Sequence, residues 1–405
     1  MFNLAEYRRT NIRLADFLPW AALVDEGVVL NKDGSLQRTA RFRGPDLESS
    51  VASELAAVAS RLNNALRRLG SGWAIFVEAQ RHSAGAYPPC VFPDAASALV
   101  DAERKAQFEE QVAHYESSYY LTFLYLPPRE DVARSERVLY EGAPQPDRAR
   151  GRDILRSFVD RTDRILQLVG GFMPECGWLG DDAVLSYLHS TVSAKRQRVR
   201  VPEIPMHLDG LLADQPLTCG LAPMLGAVHL RVLTIIGFPS ATTPGVLDEL
   251  NGLAFAYRWS TRAIMLDKQD AVKLVTRIRR QWFAKRKSLA AILKEVVTNE
   301  AASLVDSDAH NKAADADAAL QDLGSDEIGQ AFVTATVTVW DPDPAHADEK
   351  LRQVEKRFHL HDGDCECGRG LARRPSRTRL CQCAPAAAFD AKSRASRSAV
   401  CGLGR

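Results

Sequence analysis

Seven cations, Lys273, Arg277, Arg279, Arg280, Lys285, Arg286 and Lys287, surround Trp282 and Phe283 in a single stretch. Cations interleaved with aromatics can neutralise phosphates while a ring packs against an apolar or π surface, so the pattern suits DNA or anionic lipid. The same residues also fit an ordinary amphipathic helix. Val275, Ile278, Trp282, Leu289, Leu293 and Val296 recur at helical spacing, and that stripe buries Trp282 while the cations take the wet face. The run is therefore a candidate partner or nucleic-acid contact on a helix expected over 267–299.

Other groupings carry less chemistry. Asp306, Asp308, Asp315 and Asp317 lie close in sequence, but the stretch lacks the glycine and terminal glutamate of a calcium loop. They read as helix caps and solvated carboxylates. Two CxC pairs, Cys365/Cys367 and Cys381/Cys383, fit zinc poorly, because zinc sites space paired thiolates more widely. The nine histidines are scattered. No HExxH, GxSxG or GxGxxG occurs, and no GxxxxGK followed by Ser or Thr, the loop whose backbone N–H groups and lysine cradle phosphates. The expectation is no catalytic, cofactor-binding or metal-binding residue in this chain.

The elements that position these residues follow from pattern. Val28–Leu30 and Leu36–Phe42 flank Asp33-Gly34, a hairpin signal. A helix is expected from Pro45-Asp46 through Leu69, stopped by a left-handed Gly70. Trp73–Ala79 and Tyr119–Leu126 read as strands, and Ala96–Tyr115 as a helix between them. Residues 141–152 read as an exposed loop before a helix over Asp153–Val169. Ala183–Val192 reads as ordered, without an assigned type. Further on, Leu230–Ile236, Ala254–Leu266 and Ala331–Trp340 are strands. Helices start at Thr243-Pro244 and at Asp267, the second with Asp270 as capping-box partner, and a third spans Pro344–Phe358. In the strand around Trp259, Tyr257, Trp259 and Thr261 share one face and Arg258, Ser260 and Arg262 the other, with Trp259 in the core.

Helices set against mainly antiparallel strands define an α+β chain built of two-layer, sandwich-type subdomains of split β-α-β character. The charged, proline-containing segment Lys195–Pro205 divides an N-terminal domain (1–200) from a central one (206–357). Residues 358–405 lose periodicity, with five of the eight cysteines and nine Lys/Arg against four Asp/Glu between 361 and 405. That tail is expected to be disordered and to stem from a frameshift in a GC-rich gene. Net charge is +1, which excludes a global field for polyanions. The isolated cysteines Cys90, Cys176 and Cys219 argue for reduced thiols rather than a disulfide framework. No apolar run reaches about 18–20 residues, and the N-terminus lacks a signal-type apolar core.

The runs LADFLPWAALVDEGVVLNKDGSLQRTARFRGPDL, RLNNALRRLGSGWAIFVEAQR, YLHSTVS, LAPMLGAVHLRVLTIIGFP and FAYRWSTRAIMLDK resemble the TrbE-type conjugal-transfer ATPases of type IV secretion systems, the CagE/TrbE/VirB family. The resemblance spans about residues 1–357. It implies a cytoplasmic protein peripheral to the bacterial inner membrane, acting in conjugation and pilus assembly. It also implies docking on small inner-membrane subunits and on other copies of itself. ATP and Mg²⁺ serve the family's motor, which would lie downstream. With no phosphate cradle here, this chain is expected to be a truncated docking component without ATP hydrolysis of its own. Alternatives are a stand-alone nucleic-acid-binding protein using the basic helix 273–287, and an enzyme with an unfamiliar site.

Overall fold

A computed structural model describes residues 13–46, 49–110, 114–127, 146–220, 222–235, 248–285, 307–326, 328–361, 367–369 and 400–403. The helices are α1 (Leu14–Phe17), α2 (Ala52–Leu66), α3 (Ala95–Glu110), α4 (Pro146–Gly170), α5 (Asp181–Val192), α6 (Leu208–Leu212), α7 (Lys268–Lys285), α8 (Ser307–Gly324) and α9 (Pro344–His361). The strands are β1 (Trp20–Asp25), β2 (Val28–Asn31), β3 (Leu36–Arg43), β4 (Trp73–Ser83), β5 (Tyr115–Tyr125), β6 (Glu175–Trp178), β7 (Leu217–Thr218), β8 (Met224–Leu225), β9 (Val228–Ile235), β10 (Tyr257–Leu266), β11 (Gly329–Asp341), β12 (Cys367–Arg369) and β13 (Val400–Leu403). They fall into two compact units. The first holds Met1–Ser50, Ile75–Arg262 and Thr334–Ala399; the second holds Val51–Ala74, Ala263–Val333 and Val400–Arg405.

In the first unit the sheet runs β1-β2-β3-β5-β4-β10-β11-β9-β8-β7. Its described registers are antiparallel, as the sequence pattern implies. Strands from both sides of Lys195–Pro205 share this sheet. The hairpin forms as expected: Leu30 faces Leu36, Gly34 takes φ +84°, and Asp33 accepts hydrogen bonds from the Ser35 backbone (2.9 Å) and hydroxyl (2.6 Å). Thr39 on β3 faces Thr122 on β5, their hydroxyls 2.9 Å apart.

Helices cover both faces of this sheet. On one face α4 sends Asp163 to Arg38 (2.7 Å) and to the indole N–H of Trp178 (2.7 Å). The Arg38 guanidinium lies 4.0 Å from the centre of the Trp178 ring, so β3, β6 and α4 are tied by one polar cluster. Farther along, α9 packs Val354 and Phe358 against Leu233, Val337 and Trp259. Trp259 is core, as its alternation implied, and stacks on Phe358 at 5.9 Å. The other face receives α5, whose Val184, Leu185, Tyr187 and Leu188 are buried.

The second unit packs α7 against α8 through Ala271, Val275, Ala316 and Leu323, with Leu266 and Ile328 alongside. Here several expectations fail for physical reasons. Helix α2 starts at Ala52, not at Pro45. Asp46 instead accepts a hydrogen bond from the Ser49 hydroxyl (2.8 Å), and Glu54 caps the Val51 N–H (3.2 Å). Gly70 is not among the left-handed residues; a Cβ there would strike the Asp267 carboxylate, so close approach demands glycine. The capping box at Asp267 is replaced by a long-range clasp. Asp267 Oδ1 accepts the Ser71 N–H (2.8 Å), and the Asp267 N–H donates to the Ser71 hydroxyl (3.0 Å). A partner distant in sequence displaced the local one.

Three more outcomes concern boundaries. Helix α4 begins at Pro146, so half of the expected loop 141–152 is helical; proline suits a first turn, where its missing N–H costs nothing. Helix α5 supplies the type that pattern alone left open. After α9, β12 pairs along β9, giving that strand a short neighbour where none was expected. The helix proposed at Thr243-Pro244, and most of 362–405, lie outside the described residues.

Candidate functional site

Helix α7 carries the basic run the sequence singles out. Asp270 and Ala271 open it, the latter bonding its N–H to the Asp267 carbonyl (2.8 Å). Val275 is buried, as the apolar stripe requires, while Trp282 is only half-buried. The indole ring is capped by Lys312 of α8, whose Nζ lies 4.6 Å from its centre. Phe283 stands 62% exposed.

The cations do not act as one set. Lys273, Arg277 and Arg280 are exposed. Lys273 lies 3.5 Å from Asp270 on its own helix, and Arg279 pairs with Asp317 of α8 at 2.8 Å. Lys285 ends the helix. Arg286 and Lys287, with the rest of the expected helix to 299, lie outside the described residues, as does Asp306. Asp315 and Asp317 sit on helix α8 rather than in a loop. The face nearest α8 is thus partly neutralised, and the remaining exposed cations point to a partner of modest negative charge.

The strongest polar constellation is one the sequence does not flag. Glu78 on β4 is 1% exposed. Its Oε1 accepts from Arg258 Nε of β10 and from Gln80 Nε2 (2.8 Å); its Oε2 accepts from the Tyr187 hydroxyl of α5 (2.9 Å). Arg258 also donates through Nη1 to the Ser190 carbonyl (3.3 Å). Gln80 and Ser190 exchange a further contact at 3.0 Å. Burial first, and then the Glu78 charge, push the Tyr187 phenol well above its ordinary value of 10.0, so it remains the donor.

Arg258 was recognisable as facing away from Trp259, and its carboxylate partner turns out to be on a strand, not a helix. Arg262, on the same face, has a buried Nε without a partner among the described residues, and desolvation lowers its pKa. The available signal for Glu78 was its alternation with Phe76 and Gln80 on one face of a strand otherwise apolar. Such a polar residue on a covered face demands a partner.

The comparisons place this architecture in a known class. The family model of the type IV secretion system ATPase VirB4/TrbE N-terminal domain matches residues 27–133, which include Glu78. The chain is 31% identical over 372 residues to the conjugal transfer protein TrbE of Rhizobium radiobacter, a match covering 88% of this chain and 45% of that protein. In Sinorhizobium fredii a probable conjugal transfer protein TrbE is divided between two polypeptides, and both match. The first is 39% identical over 149 residues, covering 36% of this chain and 100% of the relative. The second is 27% identical over 175 residues, covering 43% of this chain and 26% of the relative. The chain belongs to the TrbE family of conjugal transfer proteins, within the VirB4/TrbE type IV secretion ATPases. It spans about half the length of the Rhizobium radiobacter relative.

Proposed function

We propose that these residues are a docking portion of a conjugal-transfer ATPase, serving DNA and protein transfer and pilus assembly at the bacterial inner membrane. In this reading small inner-membrane subunits of the apparatus bind directly to it, and other copies of the chain assemble beside it. Association with the membrane is peripheral and goes through those partners; among the described residues no helix is long and apolar enough to cross a bilayer. ATP and Mg²⁺ belong to the family's motor activity. The stretch here contains no GxxxxGK[ST] loop to cradle phosphates, so it is proposed not to hydrolyse ATP unaided.

One observation carries the docking reading. Helix α3 buries none of its side chains, with Leu99 69% and Val100 52% exposed, and Val91 just before it is 99% exposed. Adjacent exposed apolar groups on a helix of the matched family domain suit a protein partner that covers them. The purified chain is expected to capture the small inner-membrane subunits in reconstituted form, and Leu99→Asp with Val100→Asp is expected to abolish capture. Undiminished capture by a folded double variant, or ATP turnover that co-migrates with the chain, would overturn the reading.

The exposed cations Lys273, Arg277 and Arg280 beside Phe283 support a second contact, to nucleic acid. Its signature is affinity for single-stranded DNA that falls with salt and weakens when Arg277 and Arg280 are changed to Gln. Affinity indifferent to both removes this contact and leaves protein docking intact.

A further inference from the structure

A cleft of about 420 Å³ opens within the first unit, independent of the α3 surface. Its size falls in the range of about 300–1,000 Å³ typical of small-molecule sites. Leu18, Val192, Leu225, Leu230 and Trp340 build an apolar wall. The charged lining is one-sided: Arg81, Arg196, Arg258 and the ring of His82 face it, and no carboxylate does. Glu78 is saturated by Arg258, Gln80 and Tyr187.

Arg258 supplies the second observation. The residue is 6% exposed, Nε is engaged by Glu78 and Nη1 by the Ser190 carbonyl, yet Nη2 is buried with no partner among the described residues. Leaving a buried guanidinium donor unmet is costly, about 1–3 kcal/mol for a typical unsatisfied group. An acceptor oxygen brought by a ligand would complete its shell. Arg81 holds its Nε on the Leu253 carbonyl (3.0 Å) and keeps its charge beside the cleft, and Arg196 is exposed. His82 is held by the Ser118 hydroxyl and the Ser83 carbonyl, each at 3.2 Å, with Glu116 at 3.4 Å on its other side.

We propose that this cleft binds a small amphiphilic carboxylate, of the class of a single-chain fatty acid, with its apolar body along the Leu225–Trp340 wall and a carboxylate oxygen on Arg258 Nη2. A monoanion matches a single unmet inner donor within a positive surround. A nucleotide does not: it brings several phosphates and a polar base to a wall of leucines. An apolar peptide end carries the same carboxylate but adds a donor and acceptor per residue. The remaining polar lining, Gln80 and a few hydroxyls, is already largely engaged.

Calorimetric titration of the whole chain with sodium decanoate, below its micellar concentration, tests this. Saturable one-to-one binding is expected, with decanol bound roughly tenfold more weakly or worse, a difference of about 1.4 kcal/mol. Arg196→Gln should weaken decanoate and leave decanol unchanged. Ala194→Phe, which fills the cleft, should abolish binding without changing the thermal transition; Leu225→Trp serves if that variant unfolds. No saturable binding, equal binding of decanoate and decanol, or retained binding in a folded cleft-filled variant would overturn the proposal. So would tighter binding of an N-acetylated apolar tripeptide with a free carboxyl end, which assigns the cleft to a protein partner instead.

Discussion

Arg258 and Arg279 each pair with a carboxylate, and the two pairs behave as different chemistries. Arg258 and Glu78, in the first unit, have side chains 7% and 1% exposed; Arg279 and Asp317, in the second, have side chains 42% and 56% exposed. The sequence advertises the second pair, inside a run of cations and beside a run of aspartates. Yet water screens it, and an exposed pair contributes little. The first pair is sequence-silent and sits where charge cannot be left alone. Exposed charge is thus a matter of partners and buried charge a matter of architecture, and substitutions should separate the two.

The largest effect is expected at Glu78. Glu78→Ala strands the Arg258 charge inside the sheet and removes the acceptor of Tyr187 and Gln80, a loss of about 3–5 kcal/mol. The paired change Glu78→Leu with Arg258→Met removes both charges and should recover most of it, since apolar replacements of buried pairs are neutral or better by about 1–4 kcal/mol. Urea unfolding of the single and double variants decides. A double variant as unstable as Glu78→Ala would mean that the pair is not the source of the loss.

Two glycines extend the contrast between a rigid neighbour and a yielding one. At Gly27 the backbone sits at φ +65° and an added Cβ would collide with the Leu179 carbonyl. Neither can move without disturbing the N–H that Gly27 donates to Asp181 (2.7 Å), so Gly27→Ala should cost about 1–3 kcal/mol. At Gly70 the obstacle is only the Asp267 side chain, which can swing away by giving up its bond to Ser71. Gly70→Ala should therefore cost about 1 kcal/mol, near one net hydrogen bond. Equal unfolding midpoints for the two variants would erase the distinction.

A third contrast is in pH. Burial, opposed by the Ser83 carbonyl, lowers the His82 pKa from 6.5. Arg41 and Arg196 push it the same way as burial, and Glu116 pushes against them. A folded pKa below the unfolded one means that the unfolded chain binds the proton more tightly. The stabilisation is complete above pH 6.5 and fades as pH falls through the lowered value. His82→Gln should flatten stability between about pH 7 and about pH 5, read as unfolding midpoints. An equally steep profile in the variant would place the titrating group elsewhere.

Pattern reading succeeded where a residue's fate depends on neighbours in sequence. The hairpin at Asp33-Gly34, the alternation that buries Trp259, and the stripe through Val275 are local facts. It failed where the deciding partner is remote. Glu78 needs Arg258 and Tyr187; Gly70 and Ser71 need Asp267; none of these pairings has a spacing to recognise. The basic run was legible as residues but not as a surface, because Asp317 arrives from another helix to take Arg279. The cleft was illegible altogether, since its lining comes from β4, from β7 through β11, and from α1 and α5.

The smallest effect is the one the sequence would rank highest. Asp317→Asn breaks the 2.8 Å pair with Arg279 on the solvated side of α7 and α8. Exposed pairs of this kind contribute about 0.2–1 kcal/mol. The cost should shrink further between low salt and about 1 M salt, where the Debye length is about 3 Å. Freed from Asp317, Arg279 joins Arg277 and Arg280 as an available cation. If α7 contacts nucleic acid, Asp317→Asn should raise that affinity and steepen its salt dependence while barely moving the unfolding midpoint. If α7 serves only to pack against α8, neither changes. The same substitution thus separates a helix whose charges face a partner from one whose charges merely keep it wet.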